Sequence, residues 1–272
     1  MLLHRILVIV LLLPVALVII LLGGTVYVAI AALICGIASL EYVQLFTSAG
    51  LKPNGLLVVG GSLALVIGRA WDGFQSVPWI VSLIVMTAMV YHLIDYENGR
   101  DQAATDFGVT LGGVFYLGWL GAFLVSLRFL PEGQWWLLIV LPSVWFADSG
   151  AYIVGSLFGK HPITKRLSPR KTWEGYFGGI LFSIPMTALL ALLWRVWSGP
   201  ASAITPGRAA LIALILGSIT VFGDLGASMI KRQVGVKDSG KFLPGHGGAF
   251  DRIDTWLWAG VIGYFMIACF FQ

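Results

Sequence analysis

Charge is scarce along this chain. Asp, Glu, Lys and Arg make up 11% of its 272 residues against 58% hydrophobic residues, and the mean hydropathy is +0.90. A water-soluble globule of this length could not hide so much apolar surface in one core, which excludes a soluble fold. Cysteine is nearly absent: Cys35 and Cys269 both sit inside apolar runs and support neither a disulfide framework nor a metal cluster. No A-x-A-like cleavage site follows the apolar run 6–22 behind Arg5, so an uncleaved first helix is expected rather than a signal peptide. No internal repeat relates the two halves, which counts against a secondary transporter built on repeats.

The apolar runs recur from end to end. They predict an all-α, polytopic integral membrane protein with nine spans near 5–22, 25–46, 55–70, 77–95, 107–128, 135–158, 175–197, 208–231 and 255–271. Residues 1–130 then carry spans one to five. Residues 131–272 carry spans six to nine, with polar loops at 158–174 and 231–254. The 34 glycines exceed the roughly 7% average usage, and close helix packing accounts for most of them. Such small-residue faces also suit pairing of two copies, so a homodimer is the expected assembly.

Basic residues orient the chain. With a cytoplasmic N-terminus and alternating spans, Arg5, Lys52, Arg100, Lys160, Lys165, Arg166, Arg170, Lys171, Lys231, Arg232, Lys237, Lys241 and Arg252 share the cytoplasmic side. That is thirteen of the 17, leaving Arg69, Arg128, Arg195 and Arg208 opposite. The expected location is the cell inner (plasma) membrane, multi-pass, with both polar loops facing the cytoplasm. Lys52 and Arg100 read as topology and lipid-headgroup residues. In 158–173, by contrast, five cations occur with no acid among them, beside Ser168, Pro169 and Thr172, which can start and cap the next helix. Such a loop is suited to trap an anion.

The richest polar segment is 228–254, SMIKRQVGVKDSGKFLPGHGGAFDRID. Lys231, Arg232, Lys237, Lys241 and Arg252 are cationic donors, while Asp238, Asp251 and Asp254 carry hard oxygens of the kind Mg²⁺ prefers. Gly245, Gly247 and Gly248 leave backbone N–H groups open to an anionic oxygen. This combination points to a metal–polyphosphate site. Asp224 lies four residues before Ser228 and seven before Lys231, on one helical face, and an acid within a span is a functional candidate by default. Asp251 and Asp254, three apart, would share a face if DRID opens the last helix, and Asp224 with Asp251 is the preferred metal pair. The alternative is a structural Asp224 paired with Lys231 or Arg232. Glu41, near the end of span two beside Tyr42 and Gln44, is assigned no role. His246 is placed to contact phosphate or to order its turn.

The segment 228–254 reads S-x-x-K-R-x4-K-D-x-G-x3-P-G-H-G-G-x-x-D-R-x-D without a gap, which resembles the signature of phosphatidate cytidylyltransferases, the CDP-diacylglycerol synthases. DSGAY at 148–152, with Asp148, Ser149 and Tyr152, GKH at 159–161 and SPRKTWEG at 168–175 resemble further blocks of that family. The likeness therefore extends over roughly 148–254. Where many members have G-D-x-x-E-S, this chain has Ala227 before Ser228, so no role of that Glu carries over.

The resemblance implies transfer of the cytidylyl group of CTP to phosphatidic acid with release of pyrophosphate, and it implies Mg²⁺, alone or with a second cation, held at Asp224, Asp251 and Asp254. It implies Lys231, Arg232, Lys237 and Asp238 as further catalytic residues. Asp148, Ser149, Tyr152, Lys160, Ser168, Lys171, Ser228, His246, Gly247, Gly248 and Arg252 would bind substrate. CTP, phosphatidic acid and membrane lipids are the expected partners, and nothing points to nucleic acid. The open alternative is a CTP-dependent kinase of a polyprenol or similar lipid alcohol, with a transporter the weaker one. The D-G-x2-A-R pattern of a CDP-alcohol phosphotransferase is missing.

Overall fold

The computed structural model describes residues 13–240 and 247–271. Arg5, Lys241, Gly245 and His246 lie outside the described residues, as does the start of the first expected span. Within them the chain is helical: α1 (Leu13–Leu22), α2 (Gly24–Ser48), α3 (Gly55–Asp72), α4 (Val77–Glu97), α5 (Ala103–Gly113), a π-helical turn (Val114–Trp119), α6 (Leu120–Arg128), α7 (Gly133–Phe158), α8 (Trp173–Ser198), α9 (Pro206–Ile219), α10 (Val221–Gln233) and α11 (Phe250–Phe270). Taking α5 to α6 and α9 to α10 as continuous, eight of these are long and apolar enough to cross a membrane. They correspond to the second to ninth expected spans. In hydrocarbon each backbone N–H and C=O must be satisfied within the chain, which is why apolar runs of this length become helices.

Side chains close several helix starts. Asn54 accepts from Leu57 N at 3.0 Å, Thr172 from Gly175 N at 3.2 Å and Thr205 from Arg208 N at 3.3 Å. The eighth expected span is two helices. It breaks at Thr220, whose hydroxyl donates back to Leu216 O at 2.8 Å.

The chain forms two compact units. One contains residues 1–126 and the segment Ile230–Ile253, which the sequence grouped with spans six to nine. Here α3 packs against α2, α4 and the π-helical turn, around Leu65, Val77, Ile80, Ile84 and Val114. Gly118 allows the close approach, since a Cβ there would stand 2.5 Å from Ser62 Cα. Tyr42 Oη donates to Val109 O and Tyr27 Oη to Leu124 O, each at 3.1 Å. Asp106 is fully buried in the first turn of α5. It accepts from Lys52 N at 2.8 Å and pairs with Arg100 Nε at 2.7 Å, while Arg100 also donates to Gly50 O. Arg100 thus bridges two connections, a role beyond topology alone.

The other unit contains Leu127–Met229 and Asp254–Gln272, dominated by α7 against α8 with α9 on both. Glycines line the first contact: a Cβ on Gly175 would sit 2.7 Å from Ala151 O, and one on Gly179 would collide with Ala147 O. Helices without apolar contrast to their solvent associate through such close backbone approach. Gly179→Ala should therefore lower the thermal midpoint in detergent, at a cost of about 1–3 kcal/mol for overpacking. Gly108→Ala, where a Cβ meets nothing within 4 Å, should leave the midpoint unchanged or raise it. Thermal unfolding of both variants followed by tryptophan fluorescence checks the contrast.

Candidate active site

Asp251 stands in the first turn of α11 and is almost fully engaged. One oxygen, Oδ2, accepts from Ser239 N and Ser239 Oγ, both at 2.9 Å, and from Gly248 N at 3.3 Å. The other, Oδ1, takes the Lys231 ammonium from the end of α10. Gly247 makes the turn beneath it at φ +82°, a left-handed conformation in which any Cβ would also press on Asp251. Lys231 and Asp251, twenty residues apart, are thus paired, a contact not expected from the sequence, where Asp251 was set with Asp224.

The residue that the sequence left without a role closes this arrangement. Glu41, on α2, is 6% exposed, and its carboxylate accepts from Ala249 N at 3.0 Å, Phe250 N at 2.9 Å and Ser239 Oγ at 3.0 Å. It caps the N-terminus of α11 from another helix, where unpaired N–H groups and the positive end of the helix dipole favour an anion. A Cβ on Gly240 would approach Glu41 Oε1 to 2.5 Å, and one on Gly248 would collide with both Glu41 and Ser239. Two of the signature glycines are therefore small because Glu41 occupies the space beside them. Tyr42 lies against Phe250, ring centroids 6.1 Å apart.

Other signature residues face outward. Arg232, Lys237, Asp238 and Arg252 are exposed, so the three cationic side chains are accessible to an anion and the Asp238 carboxylate to a cation. Asp254 is buried, falls in the other unit and accepts from its neighbour Thr255 N at 2.7 Å. Among the described residues no group of three or more His, Cys, Asp or Glu side chains could hold a metal ion.

In the second unit Asp224 sits in the first turn of α10, paired with the Lys171 ammonium and approached by Ser228 Oγ at 3.4 Å. The expected structural partners, Lys231 or Arg232, are not what it binds there; Lys171 from the basic loop is. That loop is closed on itself: Ile163 N donates to Lys171 O at 2.8 Å and Trp173 N to His161 O at 2.9 Å. Glu174, one residue past the acid-free stretch, folds back to accept from Lys160 N and His161 N, each at 3.2 Å, and from His161 Nδ1 at 2.5 Å. Lys160, Lys165, Arg166 and Arg170 remain exposed, while Ser168 is half-buried with its N–H on Thr164. Asp148, Ser149 and Tyr152 are exposed on α7.

Ser239 and Glu174 were missed because the signature places no fixed residue at 239 and because Glu174 adjoins, rather than enters, the basic run. A capping pattern was legible only at Thr172.

These arrangements sit within a chain-long similarity. The profile of the cytidylyltransferase family matches residues 3–270, and the chain belongs to that family. It is therefore a nucleotidyltransferase embedded in a membrane by its apolar helices. The chain is 30% identical over 255 residues to a phosphatidate cytidylyltransferase of Mycobacterium bovis, covering 89% of this chain and 80% of the relative. It is 32% identical to one of Staphylococcus epidermidis over 239 residues and 33% identical to one of Staphylococcus aureus over 235, covering 86% of this chain and 87% of the relative in both cases. The likeness thus runs well beyond residues 148–254 and takes in the N-terminal half.

Removing the fold-back acid should loosen the basic loop without unfolding the helices. Glu174→Ala is expected to speed tryptic cleavage after Lys165, Arg166 and Arg170 severalfold, with helical circular dichroism unchanged; peptide mass mapping of a digestion time course reads it.

Proposed function

We propose that this protein is a phosphatidate cytidylyltransferase, joining CTP and phosphatidic acid into CDP-diacylglycerol and pyrophosphate. The observation that carries the reading is the family match over residues 3–270; within this chain Asp251 and Lys231 of the signature segment are paired and braced in the fold. A lipid phosphate oxygen attacks the α-phosphorus of CTP, and the bond to the bridging oxygen breaks as pyrophosphate leaves in line. A phosphomonoester is largely ionised near neutrality, its second pKa being about 6, so no strong base is needed. Repulsion between two anions is the main barrier, and positioned cations lower it.

The exposed Arg232, Lys237 and Arg252, with Lys160, Lys171 and Lys231, supply those cations. Gly247, Gly248 and the hydroxyl of Ser228 join Asp148, Ser149, Tyr152, Ser168 and His246 as the proposed substrate contacts, with the Gly248 amide already given to Asp251 Oδ2. Asp224 and Asp251 are the carboxylates we assign to a divalent cation, Mg²⁺. Taken singly, each carboxylate fits a cation, since each now meets one, the Lys171 or the Lys231 ammonium, whose place a metal ion would take. When bound, the ion would neutralise charge on the transferring phosphoryl oxygens. Asp254, buried and bonded to Thr255 N, fits less well as a third ligand.

The thirteen-to-four bias of basic residues supports a multi-pass protein of the plasma membrane with these groups on the cytoplasmic side. There a soluble nucleotide meets a lipid headgroup.

Purified protein given α-³²P-labelled CTP, phosphatidic acid and Mg²⁺ should move label into the lipid phase, and EDTA should stop it. Label entering lipid only from γ-labelled CTP would establish a lipid kinase instead. Asp224→Asn and Asp251→Asn should each lower this turnover by at least 100-fold in folded protein, whereas Lys52→Ala, its side chain exposed, should stay within twofold. Near-normal Mg²⁺-dependent turnover in either Asn variant would sink the assignment of that carboxylate.

A further inference from the structure

We infer that Glu41, from the N-terminal half, is a positioning residue for the reaction. Its carboxylate fixes the start of α11, and with it Asp251, relative to Ser239. The inference rests on the reading of Asp251 as a catalytic-site carboxylate.

Burial makes the case. A carboxylate within a span is expensive unless its charge is met, and among the described residues no Lys or Arg pairs with Glu41. Among the described residues, what meets it is the signature segment. Ala249 N and Phe250 N come from one side of residues 241–246, and Ser239 Oγ comes from the other. Glu41 therefore ties together the two flanks of that stretch.

Asp251 hangs on the same two flanks, through Ser239 N on one and Gly248 N on the other. The Ser239 hydroxyl links the two acids directly, 3.0 Å from Glu41 Oε2 and 2.9 Å from Asp251 Oδ2, and its single proton serves one of them at a time. The described partners of both Glu41 oxygens, Ser239, Ala249 and Phe250, are all buried, which suits a carboxylate that positions the segment. The space is also specific: Gly240 and Gly248 both abut this carboxylate, so the segment is shaped to receive it.

Glu41→Gln keeps the volume but replaces one acceptor oxygen with an N–H₂ that faces donors. Full-length protein in detergent should remain folded, with a thermal midpoint near that of the parent. In hydrogen–deuterium exchange the peptide covering Ala249 and Phe250 should exchange at least tenfold faster, while α3 is unchanged. Turnover should fall at least tenfold, and the Mg²⁺ concentration for half-maximal rate should rise several-fold, a shift that mere loss of stability would not produce.

Glu41→Asp, which keeps the charge on a shorter arm, should recover part of both effects. If Glu41→Gln does not fold, Ser239→Ala provides the test, since it cuts the link between the acids and should shift the Mg²⁺ dependence in the same direction. Unchanged exchange at 249–250, or unchanged turnover and Mg²⁺ dependence despite faster exchange, overturns the inference. Failure of the underlying reading looks different: Asp251→Asn would retain turnover, while the exchange at 249–250 would still report whether Glu41 holds the helix start.

Discussion

Backbone N–H groups that no helix can satisfy are the constraint on which the rest of this protein depends. Helix starts and turns leave N–H groups without intrahelical partners, and an ordered connection needs acceptors for them nearby. Carboxylates repeatedly supply them. Asp106 accepts from Lys52 N, Glu174 from Lys160 N and His161 N, Glu132 from Ala203 N, Asp251 from Ser239 N and Gly248 N, and Glu41 from Ala249 N and Phe250 N. Acids are few, and at least five of the 13 are committed to closing connections between helices. The scarcity of charge and the order of the loops are two sides of one economy of acceptors.

The same pattern separates what was legible in the sequence from what was not. Apolar runs announce helices because length and composition are local properties, and Thr172 announced a helix start because a cap acts within one turn. Lys231 and Asp251 could be placed in one signature on paper, although their pairing with each other was not read there. Glu41 could not, since its partners lie 198 to 209 residues away and nothing in LEYVQLF marks a cap for a distant helix. Asp106 was hidden by a helix that starts earlier than its hydropathy suggests, at Ala103 rather than near 107. The break at Thr220 was masked by the continuous apolar character of the sequence on both sides.

Function was concentrated in the sequence but is distributed in the fold. The motifs occupy 148–254, yet the family likeness spans residues 3–270. The contacts give that breadth a physical reason, because α2 is part of what gives the signature its shape. Glycines tell the same story at two scales. Along α7 and α8 they let backbones meet, whereas Gly240 and Gly248 make room for one side chain. Ala227, just before Ser228, is fully buried and small.

The bond from Phe250 N to Glu41 spans 209 residues, which makes it an event in time as well as in space. At synthesis rates of about 5–20 residues per second, roughly 10–40 s separate the emergence of Glu41 from that of its partner. Throughout that interval α2 carries an acid without the donors that will meet it. Insertion scales put the cost of an acid at a helix centre at about 2.5–3.5 kcal/mol, an upper bound for one near the helix end and one that the apolar remainder of a 25-residue helix can bear. The helix that enters the membrane early thus holds one end of an unfinished contact, and the chain completes its signature only when its last helix is made.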